Sequence, residues 1–220
     1  RMGELPEYVF NVGSPELEFV ASTKRRPSNT LINRVGVGDV IDVKKPYLLV
    51  MQHPVTSEIG KNKKHITETL HAVHALNIPA IWFWPNVDAG TEELSKGVRS
   101  FREDYAPHRI RFITYLPPEE FIALLRGASC LVGNSSTGIK ECSFLGTPVV
   151  NIGTRQNGRL RGENVVDVPY KRDKILRAIK RQLANGLYKR SDAYFQPGTS
   201  KKIADILATK SLYTQKQFFD

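Results

Sequence analysis

The residues Gly133 to Gly138 read Gly-Asn-Ser-Ser-Thr-Gly, a composition suited to holding an anion. Glycines let the backbone approach a ligand closely, and hydroxyls and free N–H groups at a helix start attract phosphate. An apolar run over 129–132 precedes this stretch and helical spacing follows it, which predicts a strand-to-helix turn. The alternative is that Asn134, Ser135 and Ser136 only cap the helix.

Two other loops carry polar side chains directly after apolar runs. His53 follows the run 47–52, and near neutral pH an imidazole can donate to a phosphate or act as an acid or base. Its alternative is a turn histidine that packs against Pro54. Asn86 follows the run 80–84 and could bind a ligand.

A carboxylate and a basic loop complete the candidate site. Glu141 lies about one helical turn beyond Ser136, where it can accept hydrogen bonds from two ribose hydroxyls, although acids are also favoured near a helix start. Arg155, Arg159 and Arg161 lie in a glycine-rich loop, and guanidinium groups bind phosphate in two-pronged fashion. Together these loops predict a nucleoside diphosphate site without a Walker or Gly-x-Gly-x-x-Gly motif.

The elements that must position these loops follow a regular order. Predicted strands cover 47–52, 80–84, 110–116, 129–132, 148–152 and 164–168, and predicted helices cover 65–76, 91–105, 117–126, 141–145, 170–185 and 201–208. Such alternation predicts an α/β fold, a Rossmann-like parallel sheet with helices on both faces. Ligands of these sheets bind at the carboxyl ends of the strands. Thr91 is expected to cap its helix.

The sequence divides into three parts. Residues 1–45 are predicted to be a hinge or connector with a short strand over 8–13 and a helix over 16–21 that Ser14 caps. Residues 46–210 form the predicted nucleotide-binding domain, and 211–220 a C-terminal tail. The opening at Arg1 suggests that an upstream portion is missing.

Composition limits the classes of protein to consider. The 220 residues are 40% hydrophobic and 25% charged, as in a soluble globular protein, and no apolar stretch could span a membrane. The net charge of +10 is scattered, so we expect solvated faces and no nucleic-acid partner. Cys130 and Cys142 lack metal-ligand spacing and predict reduced thiols in a cytoplasmic protein. The helical histidines His65, His71 and His74 indicate a solvated helix, and no metal or cofactor is expected.

Several blocks of the sequence form a more specific pattern. In chain order they are Arg1-Met2-Gly3-Glu4, Tyr8 to Gly13, Gln52-His53-Pro54-Val55-Thr56, Pro85 to Gly90, Gly133-Asn134-Ser135-Ser136 with Glu141, Gly146 to Asn151, Gly153-Thr154-Arg155-Gln156-x-Gly158-Arg159 and Gly162 to Val165. Together they resemble the UDP-N-acetylglucosamine 2-epimerase family. The His53-Pro54 pair and the arginine loop are similar to its hydrolysing branch, because the non-hydrolysing branch usually has His-Arg at the first place.

That resemblance implies one half of a two-domain enzyme of glycosyltransferase-B-like architecture, with a UDP-sugar between the domains. This chain would be the C-terminal, UDP-binding half. Its partners would be the missing N-terminal domain, which carries the proton-transferring carboxylates, and further copies in a homo-oligomer. The resemblance assigns His53 to catalysis and Asn86, Ser135, Ser136, Glu141, Arg155 and Arg159 to UDP, with Glu163 and Asn164 as further candidates.

The activity implied by the resemblance is conversion of UDP-N-acetylglucosamine to N-acetylmannosamine and UDP, for the biosynthesis of sialic-acid-type sugars. UDP would be eliminated across C1 and C2, and water would then add with inverted configuration at C2. The half-chain alone is expected to be inactive. The alternatives are a non-hydrolysing UDP-sugar 2-epimerase and a glycosyltransferase of the same architecture, followed by a non-catalytic UDP-sugar sensor or nucleic-acid module.

Overall fold

A seven-stranded sheet forms the centre of the computed structural model, which describes residues 4–211. The opening Arg1-Met2-Gly3 and the predicted tail beyond residue 211 lie outside the described residues. The strands are β1 (Val37–Gly38), β2 (Leu48–Met51), β3 (Ala80–Phe83), β4 (Ile110–Ile113), β5 (Cys130–Gly133), β6 (Val149–Ile152) and β7 (Val165–Val168). Strands β2 to β7 are parallel to their neighbours, and β1 pairs antiparallel with β4.

Helices cover both faces of the sheet. They are α1 (Glu16–Ser22), α2 (Asn29–Arg34), α3 (Asn62–His74), α4 (Thr91–Tyr105), α5 (Pro118–Gly127), α6 (Ser136–Ile139), α7 (Glu141–Leu145), α8 (Arg172–Asn185) and α9 (Thr199–Thr209). Short 3-10 helices cover Pro6–Tyr8 and Thr56–Glu58. The α/β class, the six parallel strands and the helices on both faces confirm the prediction from hydrophobic periodicity.

Alternate residues of each strand enter two separate cores, which is why the strands are apolar throughout. Leu48 and Val50 pack with α3, α4 and α8 on one face. Leu49 packs with α1, α2, α5 and α7 on the other face. Burial on both faces favours continuous apolar runs over the alternating pattern of a half-exposed strand.

The strand order β1-β4-β3-β2-β5-β6-β7 creates a switch point between β2 and β5. From β2 the chain winds outward through β3 and β4, and from β5 it winds in the opposite direction through β6 and β7. Loops that leave β2 and β5 therefore diverge to opposite faces and open a crevice at their carboxyl ends. In open parallel sheets this crevice is where ligands bind.

Gly133 ends β5 directly opposite Met51 of β2. Its φ is +141°, and a Cβ at this position would lie 2.0 Å from the Met51 carbonyl oxygen. Only glycine adopts this backbone conformation without strain, and only glycine leaves room for the neighbouring strand. The closest approach of β2 and β5 therefore requires a residue without a side chain.

Several local predictions at helix starts and in the connector were wrong. Residues 8–13 form no strand, because the segment leads into the loop around Tyr194, whose carbonyl accepts from the Ser14 N–H, and does not lie against a sheet edge. Ser14 does not cap α1; its hydroxyl is 3.4 Å from Lys140 Nζ. Thr91 is the first residue of α4 and Gly90 is the cap, since the Thr91 hydroxyl donates backward to loop carbonyls.

Arg111 attaches the connector to the sheet. Arg111 is 6% exposed, and its guanidinium donates to six backbone carbonyls at 2.7 to 3.5 Å, those of Ile32, Asn33, Val35, Gly36, Gly38 and Asp39. One side chain thus satisfies the acceptors at the end of α2 and along β1. The connector of the sequence prediction is therefore an integral edge of the sheet.

Candidate functional site

Asn134 lies at the centre of the crevice between β2 and β5. Its side-chain Oδ1 accepts from the His53 N–H at 2.7 Å, and its Nδ2 donates to the His53 carbonyl at 2.9 Å. Its own carbonyl accepts from Arg155 Nη1 at 3.2 Å and from Gln156 Nε2 at 2.7 Å. The loops after β2, β5 and β6 thus meet at one residue.

His53 is buried, and its ring is held in one neutral tautomer. The backbone N–H of Asn86 donates to His53 Nδ1 at 3.2 Å, so the ring proton lies on Nε2. Burial, followed by the nearby Arg155 guanidinium, lowers the pKa of His53 from 6.5 to about 4, and Asp88 opposes this shift. At neutral pH His53 is therefore an uncharged hydrogen-bond donor, and it is poorly suited to act as a base.

The low pKa of His53 predicts how stability depends on pH. Between pH 6.5 and about 4 the unfolded chain binds a proton at His53 that the folded chain does not bind. The free energy of unfolding should therefore decrease as the pH is lowered from 6.5 to about 4, by about 2 to 3 kcal/mol from His53. Urea unfolding of wild type and His53→Gln across this window measures the contribution, and equal slopes would contradict it. His65, whose pKa is also lowered, acts in the same direction in both proteins.

The three arginines of the loop after β6 have different surroundings. Arg155 faces the crevice, where its Nη2 lies 4.0 Å from Asp88 Oδ2. Arg161 is held within the loop by Asp167, at 2.8 Å, and by the carbonyls of Arg159 and Gln156. The Arg159 side chain is exposed and forms no hydrogen bond or ion pair among residues 4–211. Of the three arginines of the predicted clamp, Arg155 is therefore the one that faces the crevice, while Arg161 is bound within its own loop.

The turn after β5 has features both of a helix cap and of an anion site, the two interpretations of its sequence. Ser135 is a helix cap, since its hydroxyl accepts from the Thr137 N–H at 3.3 Å. Ser136 is half-buried, and its hydroxyl forms no hydrogen bond within the described part of the chain. Because α6 has only four residues, its dipole adds little, and an anion here would depend on N–H groups and the Ser136 hydroxyl.

Glu141 starts α7, immediately beyond this turn. One of its carboxylate oxygens is buried and accepts no hydrogen bond from the described residues. Burial raises the pKa of Glu141, while the neighbouring Lys140 partly offsets the shift. A buried carboxylate oxygen without a donor is costly, and a ligand hydroxyl would supply one.

A cavity of about 560 Å³ opens beside Arg155. Its lining consists of Pro54 to Ser57, Asp88, Thr154 and Arg155, so it lies among the loops after β2, β3 and β6. Another cavity, of about 440 Å³, lies near the amino end of β4 and contains no candidate site residue. Of the candidate site residues, Arg155 lines the cavity, whereas His53, Asn86, Ser135, Ser136 and Glu141 are not part of its lining.

The sequence patterns did not predict a polar cluster at the edge of this cavity, which consists of Glu58, His65, Thr154 and Tyr170. Glu58 accepts from the Thr154 hydroxyl at 2.6 Å and lies 3.3 Å from His65 Nδ1. The His65 ring stacks on Tyr170 with centroids 3.7 Å apart, so the expected solvated face is wrong for this histidine. The cluster attaches the β6 loop to the segment before α3. Its members are far apart in sequence, and no local pattern reveals them.

Asn164 also has a structural role, since its side chain binds Ser143 and Thr147. Glu163 is exposed and forms no hydrogen bond or ion pair in the range 4–211. Cys130 and Cys142 are buried free thiols whose pKa values are raised by burial. No helix in this range is long and apolar enough to cross a membrane, and no group of three or more metal-ligating side chains is found there.

Comparison with known proteins gives a consistent result. The family profile described as UDP-N-acetylglucosamine 2-epimerase matches residues 1–208. UDP-N,N'-diacetylbacillosamine 2-epimerase (hydrolyzing) of Legionella pneumophila is 33% identical over 216 residues, which are 98% of this chain and 55% of that protein. UDP-N-acetylglucosamine 2-epimerase of Neisseria meningitidis is 29% identical over 228 residues, all of this chain and 58% of that protein.

A solved structure shares the fold. The UDP-GlcNAc 2-epimerase of Methanocaldococcus jannaschii, crystallised with UDP-GlcNAc and UDP, superposes with a TM-score of 0.71 at 17% identity. The match covers 94% of this chain and 57% of that one. The chain thus spans little more than half the length of the relatives it matches.

Proposed function

This chain belongs to the UDP-N-acetylglucosamine 2-epimerase family, and we propose that it is the UDP-binding part of a hydrolysing member. The intact enzyme would convert UDP-N-acetylglucosamine, or a diacetamido analogue, to the 2-epimerised free sugar and UDP, for sialic-acid-type biosynthesis in the cytoplasm. Residues 46–210 would hold the nucleotide, and 1–45 would include the hinge to an N-terminal domain. The family membership and the names of the hydrolysing relatives support this proposal.

The observation that carries the proposal is the joining of three loops at the β2–β5 switch point. Asn134 contacts both His53 and Arg155, and Ser135 and Ser136 follow it directly. A diphosphate at this point would meet a cation, a neutral imidazole donor and a free hydroxyl. The unpartnered oxygen of Glu141 would then accept from the ribose.

This arrangement suits departure of a diphosphate from carbon. When UDP leaves C1 its charge grows, and preorganised donors such as Arg155 and His53 Nε2–H stabilise that charge. Removal of the C2 proton requires a base, and a histidine with a pKa of about 4 is a weak one. We therefore assign His53 to the leaving group and the proton transfers to carboxylates of the other domain.

The 220-residue chain should bind UDP but should not release UDP from UDP-N-acetylglucosamine, because the base and half of the cleft are absent. Calorimetry with UDP, using GDP and CMP as controls, tests the binding, and a coupled UDP assay tests turnover. Absence of a preference for UDP would refute the assignment of the site. A rate near that of an intact family member would refute the division of roles.

Product analysis with the intact enzyme separates the alternatives. Free N-acetylmannosamine is expected. UDP-N-acetylmannosamine would indicate the non-hydrolysing reaction, and transfer to an acceptor would indicate a glycosyltransferase. The same preparation, examined by light scattering, tests the proposed homo-oligomer.

A further inference from the structure

The side chain of Asn134 is directed at the backbone of His53 and does not cap a helix. Asn134 is 1% exposed, and both ends of its amide are engaged by the backbone of His53. The capping of α6 is performed by Ser135. The Asn134 side chain therefore acts on His53 through a pair of hydrogen bonds that fixes both the position and the orientation of one peptide segment.

The backbone of Asn134 fixes two further groups. Its N–H donates to the Met51 carbonyl at 3.0 Å, which ties it to the end of β2. Its carbonyl receives Arg155 and Gln156, of which Gln156 is 1% exposed. A carbonyl has two lone pairs, so both donors can be accommodated. Asn134 thus fixes the position of the Arg155 guanidinium as well as that of the His53 ring.

We propose that Asn134 is a positioning residue. It holds the His53 ring and the Arg155 guanidinium at a fixed position relative to each other, so that both can contact the ligand of the crevice. The identity of that ligand rests on the proposed function, but the contacts do not. A neutral amide is required, because one end must accept and the other must donate. An aspartate of the same shape would face the His53 carbonyl with an acceptor and lose that bond.

The same change would also alter the charge around the imidazole. The charged groups that act on His53 are Arg155 and Asp88, and the Asn86 N–H faces its Nδ1. A carboxylate at position 134 adds a negative charge at hydrogen-bonding distance from the His53 backbone. Negative charge favours the imidazolium, so the pKa of His53 would rise.

The test uses the 220-residue chain labelled with 15N-histidine and titrated by NMR, with His53→Gln to assign the signal. Wild type should show the Nε2–H tautomer and a pKa of about 4. In Asn134→Asp the pKa of His53 should rise by about one pH unit or more, and UDP affinity should fall about tenfold or more. Asn185→Asp, the same change at an exposed asparagine at the C-terminal end of α8, is the matched control and should alter neither.

Unchanged His53 titration in a folded Asn134→Asp variant would overturn the proposal. If that variant does not fold, Asn134→Ser replaces it, since a hydroxyl cannot span both groups; an unaltered tautomer and UDP affinity would then overturn it. If wild type does not bind UDP, the proposed function fails, whereas the His53 titration still decides the role of Asn134.

Discussion

A Glu141→Gln variant is expected to bind UDP about a hundredfold more weakly than wild type. The buried carboxylate oxygen of Glu141 has no donor among the described residues, and two ribose hydroxyls would provide charge-assisted hydrogen bonds. Bonds of this kind contribute about 1.5 to 3 kcal/mol each, and about 3 kcal/mol in total corresponds to a hundredfold change. Because burial raises the pKa of Glu141, binding should also weaken on acidification sooner than for an ordinary carboxylate.

Calorimetric titration with UDP near neutral pH measures the effect. Glu103→Gln is the matched control, because Glu103 is exposed on α4 and forms no hydrogen bond or ion pair between residues 4 and 211. Ser136→Ala should also weaken binding, by about tenfold, through loss of a hydroxyl donor to the diphosphate. Unaltered affinity in both Glu141→Gln and Ser136→Ala would mean that the turn after β5 is only a helix cap.

Replacement of Arg111 by methionine is expected to lower the free energy of unfolding by about 3 to 5 kcal/mol, although Arg111 is remote from the crevice. Methionine fills much of the volume but leaves the six carbonyls of the connector without their donor. Unsatisfied buried acceptors cost about 1 to 3 kcal/mol each, and some would regain water. For a chain of this size the melting temperature should fall by about 10 °C.

Urea unfolding and calorimetry measure this loss, with Arg177→Met as the control. Arg177 lies on the exposed face of α8 and forms no hydrogen bond or ion pair in the described range. Its replacement should change stability by less than about 0.5 kcal/mol. Equal stability of the two variants would show that the connector is held by its apolar contacts and not by Arg111.

Hydrophobic periodicity was sufficient to predict most of the fold. Each main strand is buried on both faces, and each main helix carries an apolar stripe, so local patterns match the tertiary structure. The prediction of a strand over 8–13 was wrong because strand propensity does not show whether a neighbouring strand is available for pairing. The prediction that Thr91 caps α4 was wrong because its hydroxyl donates to carbonyls of the preceding loop.

The candidate site was predicted only in part, for a related reason. His53, Asn86, Ser135 and Arg155 were selected because they follow predicted strands, and parallel strands end at one edge. The sequence does not give the strand order, so the adjacency of β2 and β5 and the central place of Asn134 were not foreseen. The low pKa of His53 likewise arises from burial and from Arg155, a hundred residues away in sequence.

Gly133 restricts how the crevice can be altered. Any bulkier residue there would push β5 away from the Met51 carbonyl and widen the gap that Asn134 spans, so the width of the crevice is set by main-chain atoms. Engineering of a new sugar or nucleotide preference should therefore leave 133 and 134 untouched. Variation is better directed to the exposed positions of the β3 and β6 loops, where side chains can change without separating the two strands.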